Sequence, residues 1–207
     1  MMLGNTHDET TFLIGGGDPS TFSLTWESLP AKLRQHVGVF MGSLDSARVV
    51  AEYRRLYPEA SPSDVFFSAS TASRSWKGLV LESERRARQG GAPTYVFEID
   101  WRTPVDGGKW KSPHTIGIPL EFDNIAYGAS MTGTGPEAQR MADIMSDTWI
   151  AFARSGNPDN PRIPHWPRFE LEKRPTMVFD LVPRVVDDAR GAERLLFAPI
   201  AYVQPGT

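Results

Sequence analysis

The sequence contains no cysteine, no long apolar run and little net charge. The lack of cysteine excludes disulfide bonds and thiolate metal sites, and is typical of a reducing compartment, although secreted bacterial proteins share it. No stretch approaches the roughly 20 apolar residues of a membrane span, and the N-terminus carries no signal-peptide pattern. A formal net charge of −3 argues against binding of nucleic acid or anionic membranes. We therefore expect a soluble protein, and the cytoplasm is the favoured compartment.

The composition is that of a folded unit with a substantial core. Hydrophobic residues make up 40% of the chain and aromatic residues 11%, and its length of 207 residues lies within the range of one domain. Neither an internal repeat nor a low-complexity tract divides the sequence. We therefore expect residues 1–207 to form a single segment of one domain.

Hydrophobic periodicity predicts long helices that alternate with short strands. Residues 94–101 alternate like a strand, whereas residues 136–155 carry an apolar helical face that begins at a proline and stops at a glycine. Residues 102–135 are predicted to be a long connection, and such connections often carry function. This order predicts an α/β fold, with a partial, mostly parallel sheet packed by long helices. Strands are predicted at 2–6, 94–101 and 176–182, and helices at 28–37, 46–57, 61–91, 136–155 and 188–200.

Three stretches point to one family. They are GNTHDETTFL at 4–13, KSPHTIGIPLEFDN at 111–124, and WIAFARSGNPDNP with HWPRF between 149 and 169. In residue types, order and separation they resemble the C-terminal part of the type B carboxylesterases, the cholinesterase-like branch of the α/β-hydrolases. The resemblance covers nearly the whole chain. It implies the C-terminal part of an α/β-hydrolase fold and hydrolysis of carboxylic esters by a Ser, Glu and His triad.

The resemblance places the triad acid at Glu9 and the triad base at His114. A serine hydroxyl is a poor nucleophile near neutral pH, so an imidazole must accept its proton and a carboxylate must orient that imidazole. Neighbouring side chains on an extended segment point to opposite sides, so only one of the adjacent Asp8 and Glu9 can face a given histidine. The family pattern favours Glu9 and leaves Asp8 as a turn or supporting residue.

The nucleophile is absent from the sequence. The G-x-S-x-G turn that presents the serine in α/β-hydrolases occurs nowhere in the chain, although the triad order is serine, acid, histidine. Ser130 in GASMTG follows His114, lacks the second glycine of the motif and has no preceding strand, so a nucleophilic role is disfavoured. We therefore expect the serine to come from a segment before residue 1 or from a separate chain, and this chain alone to be catalytically incomplete.

Other polar features have simpler interpretations. His7 and Asp8 beside Glu9 lack metal-ligand spacing, so no metal site is expected. Glycines 15–17 follow the acid motif, so a flexible loop is favoured over an oxyanion hole. The chain has Thr115 and Gly117 where the family commonly carries a small and an acidic residue.

The remaining histidines and aromatic residues are predicted to be structural. His36 is expected on a helix surface, and His165 in packing or capping. A core cluster is predicted to contain Trp149, Phe152, Trp166 and Phe169.

Two functions from different classes follow. In the first, the chain supplies Glu9 and His114 to an ester hydrolase, with a small-molecule ester as substrate and no cofactor. In the second, it is an inactive truncated or interaction module of the same fold. A truncated sheet leaves a strand edge uncovered, which favours a homo-oligomer or a complementing N-terminal chain.

Overall fold

A computed structural model describes residues 1–205 and contains a four-stranded mixed sheet. The strands follow one another across the sheet in chain order, and the first three are parallel while the fourth is antiparallel to the third. Helices pack against this sheet, so the predicted partial α/β fold is confirmed. The strands are β1 (Met2–Thr6), β2 (Tyr95–Ile99), β3 (Pro175–Phe179) and β4 (Arg184–Asp187).

Nine α-helices surround the sheet within the described residues. Their bounds are α1 (Glu9–Leu13), α2 (Leu29–Met41), α3 (Ser46–Leu56), α4 (Pro62–Thr71), α5 (Lys77–Gln89), α6 (Gly117–Glu121), α7 (Ala129–Thr132), α8 (Pro136–Ser155) and α9 (Gly191–Phe197). None of these helices combines the length and the apolar content of a bilayer span.

The two central strands have sequences suited to burial on both faces. Every residue of β2 and β3 is buried, and both are short runs rich in apolar and β-branched residues. β1 lies at the edge of the sheet and is only partly buried. The parallel pairing aligns Thr6 at the end of β1 with Ile99 at the end of β2. The segments that follow both strands therefore start from the same edge of the sheet.

The predicted long helix over residues 61–91 is two helices. Ser61 and Asp64 form a reciprocal capping box at the start of α4, and Gly90 ends α5 in the left-handed conformation with φ of 65°. Between them, residues Ala72–Trp76 form one π-helical turn. The prediction of one long helix did not include the π turn, because the backbone stays helical on both sides of such a turn.

Two further predictions need correction. The last strand is not residues 176–182, since β3 ends at Phe179 and a turn leads into β4. The connection 102–135 holds the short helices α6 and α7 rather than loop alone.

Two apolar clusters fill the space around the sheet. One lies between the strands, α6 and α8, and the other between α2, α3, α4 and α9. Trp166 is fully buried in the first cluster, and Trp149 and Phe152 pack against that cluster, as the sequence predicts. Phe169 is also buried but belongs to neither cluster.

Candidate active site

The acid turn, residues 7–9, begins where β1 ends. The His7 amide donates to the Ile99 carbonyl at 2.8 Å, which continues the parallel pairing for one step beyond Thr6. Glu9 then opens α1, and its Oε1 accepts a hydrogen bond from the Thr6 amide at 3.2 Å. Only 9% of the Glu9 side chain is exposed. The Thr6 amide at the end of β1 therefore holds the Glu9 carboxylate in place.

The histidine segment, residues 110–114, returns to the same edge of the sheet after β2. The Thr103 amide donates to the Lys111 carbonyl at 2.8 Å and closes the loop between them. The Ser112 hydroxyl donates to the Ile99 carbonyl at 2.6 Å, and the Asp8 amide donates to the Ser112 carbonyl at 3.0 Å. His114 is thereby brought beside the acid turn, at the carboxyl ends of parallel strands where α/β proteins place ligand sites.

The carboxylate of Glu9 and the imidazole of His114 are in hydrogen-bond contact. His114 Nδ1 lies 2.5 Å from Glu9 Oε2, although 105 residues separate the two in sequence. With Nδ1–H donating to the carboxylate, Nε2 remains for a second partner, and 43% of the histidine side chain is exposed. This is the orientation that a triad base requires.

The hydrogen bond to Glu9 also favours the protonated imidazole. It raises the pKa of His114 above its ordinary value, against the opposing effects of burial and of the Arg74 charge. A histidine whose pKa is raised by a fixed carboxylate is a stronger proton acceptor than a free one. The pair is therefore able to accept a proton from a hydroxyl placed at Nε2.

All four histidines of the chain contact a carboxylate, so a neighbouring acid alone does not identify the site. His36 uses Nε2 for Asp18, which Lys32 also binds at 2.7 Å. That contact occupies the nitrogen that a triad base needs for its serine. His36 is half-buried rather than on the helix surface, because its ring also packs edge-on against Phe66.

His165 makes the other contact through Nδ1, 2.7 Å from Asp159. Its side chain is 77% exposed, and Asp159 also accepts from the Trp166 amide at 2.7 Å. This pair closes a surface loop, in line with the predicted structural role. His7 also places Nδ1 near a buried acid, Asp8, but that nitrogen makes no hydrogen bond and only 27% of the His7 side chain is exposed. The pair of Glu9 and His114 combines a buried acid, a hydrogen bond at the correct ring nitrogen and a base with 43% of its side chain exposed.

The Asp8 carboxylate contacts His7 and the Ser112 amide rather than the ring of His114. It is buried, lies 3.2 Å from His7 Nδ1 and accepts from the Ser112 amide at 3.4 Å. Burial raises the pKa of Asp8, but the facing charges of His7, Lys111 and Arg190 outweigh it and lower the pKa. Asp8 is therefore a charged support of the histidine segment.

The structure does not place Ser130 or the three glycines as catalytic groups. Ser130 is exposed on α7. Residues 15–17 form the turn after α1, where a side chain on Gly15 would lie 2.3 Å from the Thr11 carbonyl. Within residues 1–205, no three His, Asp or Glu side chains form a metal-ligand cluster.

Sequence reasoning missed a buried arginine behind the acid turn. Arg190 Nη1 donates to the His7 carbonyl at 3.2 Å, and its Nη2 donates to the Ser68 carbonyl at 3.1 Å. Its guanidinium also pairs with Glu193 and Glu98. With 183 residues between Arg190 and His7, no local pattern could have indicated this contact. The role of Ser112 was also not predicted, because its hydroxyl bonds to the Ile99 carbonyl, 13 residues earlier in the chain.

Known proteins resemble parts of this chain or nearly all of it. The sequence profile of the carboxylesterase family matches residues 49–197. Para-nitrobenzyl esterase of Bacillus subtilis (strain 168) is 24% identical over 201 residues, which are 96% of this chain and 38% of that protein. Liver carboxylesterase of Sus scrofa is 34% identical over 93 residues, 43% of this chain and 16% of that protein.

The fold is shared with solved esterases. The carboxylesterase EST55 of Geobacillus stearothermophilus, at 27% identity, superimposes with a TM-score of 0.76 over 95% of this chain and 40% of that one. A structure described as a thermophilic PNB esterase, at 22% identity, gives a TM-score of 0.67 and shares the fold. The chain thus spans about two fifths of the length of these relatives. From the profile match, the relatives and the fold together, the chain belongs to the carboxylesterase family.

Proposed function

We propose that this chain supplies the acid and the base of an ester hydrolase, with Glu9 as the triad acid and His114 as the triad base. The observation that carries the proposal is the 2.5 Å contact between Glu9 Oε2 and His114 Nδ1. In the reaction, Nε2 of His114 would take the proton of a serine hydroxyl as the hydroxyl attacks the ester carbonyl. Glu9 would hold the ring and stabilise the imidazolium. The substrate would be a small carboxylic ester.

The serine of this proposal comes from a segment outside these 207 residues, because the chain has no G-x-S-x-G motif. The outer edge of β1 supports such an addition. Within residues 1–205 it pairs with no other strand, so its backbone N–H and C=O groups are open to pairing. We infer that residues 1–207 form one C-terminal segment of a hydrolase domain, which a complementing segment completes. A second copy pairing at the same edge is the alternative partner.

The test is complementation. The chain is mixed with a separately produced segment of a full-length relative that carries G-x-S-x-G, and hydrolysis of a chromogenic short-chain ester is measured. We expect turnover above that of either part alone. Glu9→Gln and His114→Gln should each remove most of it, by roughly 10³-fold to 10⁴-fold, as in other triads.

His165→Gln is the matched control. It removes a histidine that also contacts a carboxylate through Nδ1, but on an exposed loop. The gain in turnover should survive this change. No gain on mixing, or a gain that is insensitive to Glu9→Gln and His114→Gln, would contradict the proposal. An inactive interaction module would give that result, and light scattering would then reveal pairing between copies of the chain.

A further inference from the structure

The acid turn and the histidine segment are joined directly to each other, apart from the contact of Glu9 with His114. The Asp8 amide donates to the Ser112 carbonyl at 3.0 Å, and the Ser112 amide donates to Asp8 Oδ2 at 3.4 Å. Asp8 and Ser112 are both buried. The two segments are therefore joined by these two buried hydrogen bonds, next to the catalytic pair. We call this contact between Asp8 and Ser112 the seam.

Thr11 lies at the other end of this seam. Its Oγ1 is 2.8 Å from the Asp8 carbonyl and 2.7 Å from the Trp110 carbonyl. A threonine hydroxyl carries one hydrogen, so Thr11 shares it between these carbonyls or alternates between them. The contact with Asp8 is local, whereas the contact with Trp110 spans 99 residues of sequence. The hydroxyl is thus a tie between the two segments.

The position of this tie matters for the catalytic pair. Glu9 lies two residues before Thr11, and His114 lies four residues after Trp110. Thr11 is fully buried, so water cannot replace its hydroxyl without opening the seam. Its loss would let the histidine segment shift against α1, whose first residue is Glu9. A shift of a few tenths of an ångström is enough to weaken a short, charge-assisted hydrogen bond.

We propose that Thr11 is a positioning residue, whose buried hydroxyl holds the histidine segment in register with the acid turn and so sets the contact between Glu9 and His114. This inference rests on the proposed function for its catalytic meaning.

Thr10 provides a matched control. It is also fully buried, and it also uses its hydroxyl for tertiary contacts. Its Oγ1 bonds to α4 instead, at 3.0 Å from the Phe67 carbonyl and 2.6 Å from Ser70 Oγ. Replacing either threonine by valine keeps the shape and removes a buried hydroxyl contact. Only the Thr11 replacement removes a contact with the histidine segment.

The experiment is an NMR titration of the His114 ring in the isolated chain. Thr11→Val should lower the pKa of His114 by about half a pH unit or more towards the ordinary value of about 6.5, because the bond to Glu9 loosens. Thr11→Ser, which keeps the hydroxyl, should restore the pKa of the parent chain. Thr10→Val should leave that pKa unchanged. Thr11→Ala is the second variant if valine does not permit folding.

A folded Thr11→Val or Thr11→Ala chain with the parent pKa at His114 would overturn the inference. An equal shift in Thr10→Val would also overturn it, since the effect would then be general loosening. Glu9→Gln separates the two levels of the argument. If Glu9→Gln leaves the pKa of His114 unchanged, the catalytic pair itself fails. If Glu9→Gln lowers that pKa and Thr11→Val does not, only the role of Thr11 fails.

Discussion

The buried arginine behind the acid turn gives the most demanding stability prediction. Arg190 is 4% exposed and donates through Nε and Nη2 to Glu193 at 3.0 and 2.5 Å. It also contacts Glu98 at 3.4 Å. Arg190→Met would keep much of the buried volume but remove the cation that both carboxylates contact. Breaking a buried ion pair on one side costs about 3 to 5 kcal/mol.

The structure places the expected value near the lower end of that range. Glu193 would keep hydrogen bonds from the hydroxyls of Tyr53 and Tyr57, at 3.0 and 2.6 Å. Glu98 has no such hydroxyl partner, and burial already raises its pKa. Without Arg190, Glu98 would take up a proton at low pH and so avoid part of the penalty. The loss in free energy of unfolding should therefore be about 3 kcal/mol at pH 8 and smaller at pH 5.5.

Urea denaturation followed by tryptophan fluorescence measures this free energy in each variant. The double variant Arg190→Met with Glu193→Gln should lose less than the sum of the two single variants, by about 1 to 3 kcal/mol, because the partners form one network. A loss below about 1 kcal/mol for Arg190→Met would refute the reasoning, as would strict additivity within about 0.5 kcal/mol.

Two further predictions concern residues close to His114 in the chain. Thr115 has φ of 69°, a backbone conformation that strains a β-branched residue. Thr115→Gly should therefore raise the free energy of unfolding by about 1 kcal/mol. A variant with a stability equal to or lower than that of the parent chain would refute the strain. Burial raises the pKa of Glu121 to about 7, so this carboxyl loses its proton at a higher pH in the folded chain than in the unfolded chain. The free energy of unfolding should therefore fall as pH rises from about 4.5 to 7. Glu121→Gln should remove this dependence and add about 1 to 2 kcal/mol at pH 8 in thermal unfolding, and an unchanged pH profile would contradict it.

Much of the fold could be predicted because local signals agreed with the tertiary structure. The alternation in β2 and the proline and glycine at the ends of α8 act within a few residues, so their elements were predicted. Helix α6 was missed, because its sequence GIPLE contains a glycine and a proline and the helix depends on packing against α8. Strand β4 was missed for a related reason. It has four partly exposed residues, and only its pairing with β3 defines it.

The sequence indicated the two residues of the candidate site, Glu9 and His114. It did not indicate the residues that hold them in place. Family-like motifs indicated Glu9 and His114, while the parallel register of β1 and β2 explains why segments 105 residues apart meet. The contacts of Thr11 with Trp110 and of Arg190 with His7 join distant parts of the chain. No periodicity or spacing encodes such contacts, so they emerge only from three-dimensional structure.

In the proposed pair, the Glu9 carboxylate orients the His114 ring through Nδ1. The most direct test is ¹⁵N NMR of the histidine ring at a pH where the imidazole is neutral, since it reports which ring nitrogen carries the hydrogen. We predict that Nδ1 carries it in the parent chain, and that Glu9→Gln shifts the hydrogen towards Nε2. A parent chain with the hydrogen on Nε2, and a Glu9→Gln spectrum identical to it, would contradict the account.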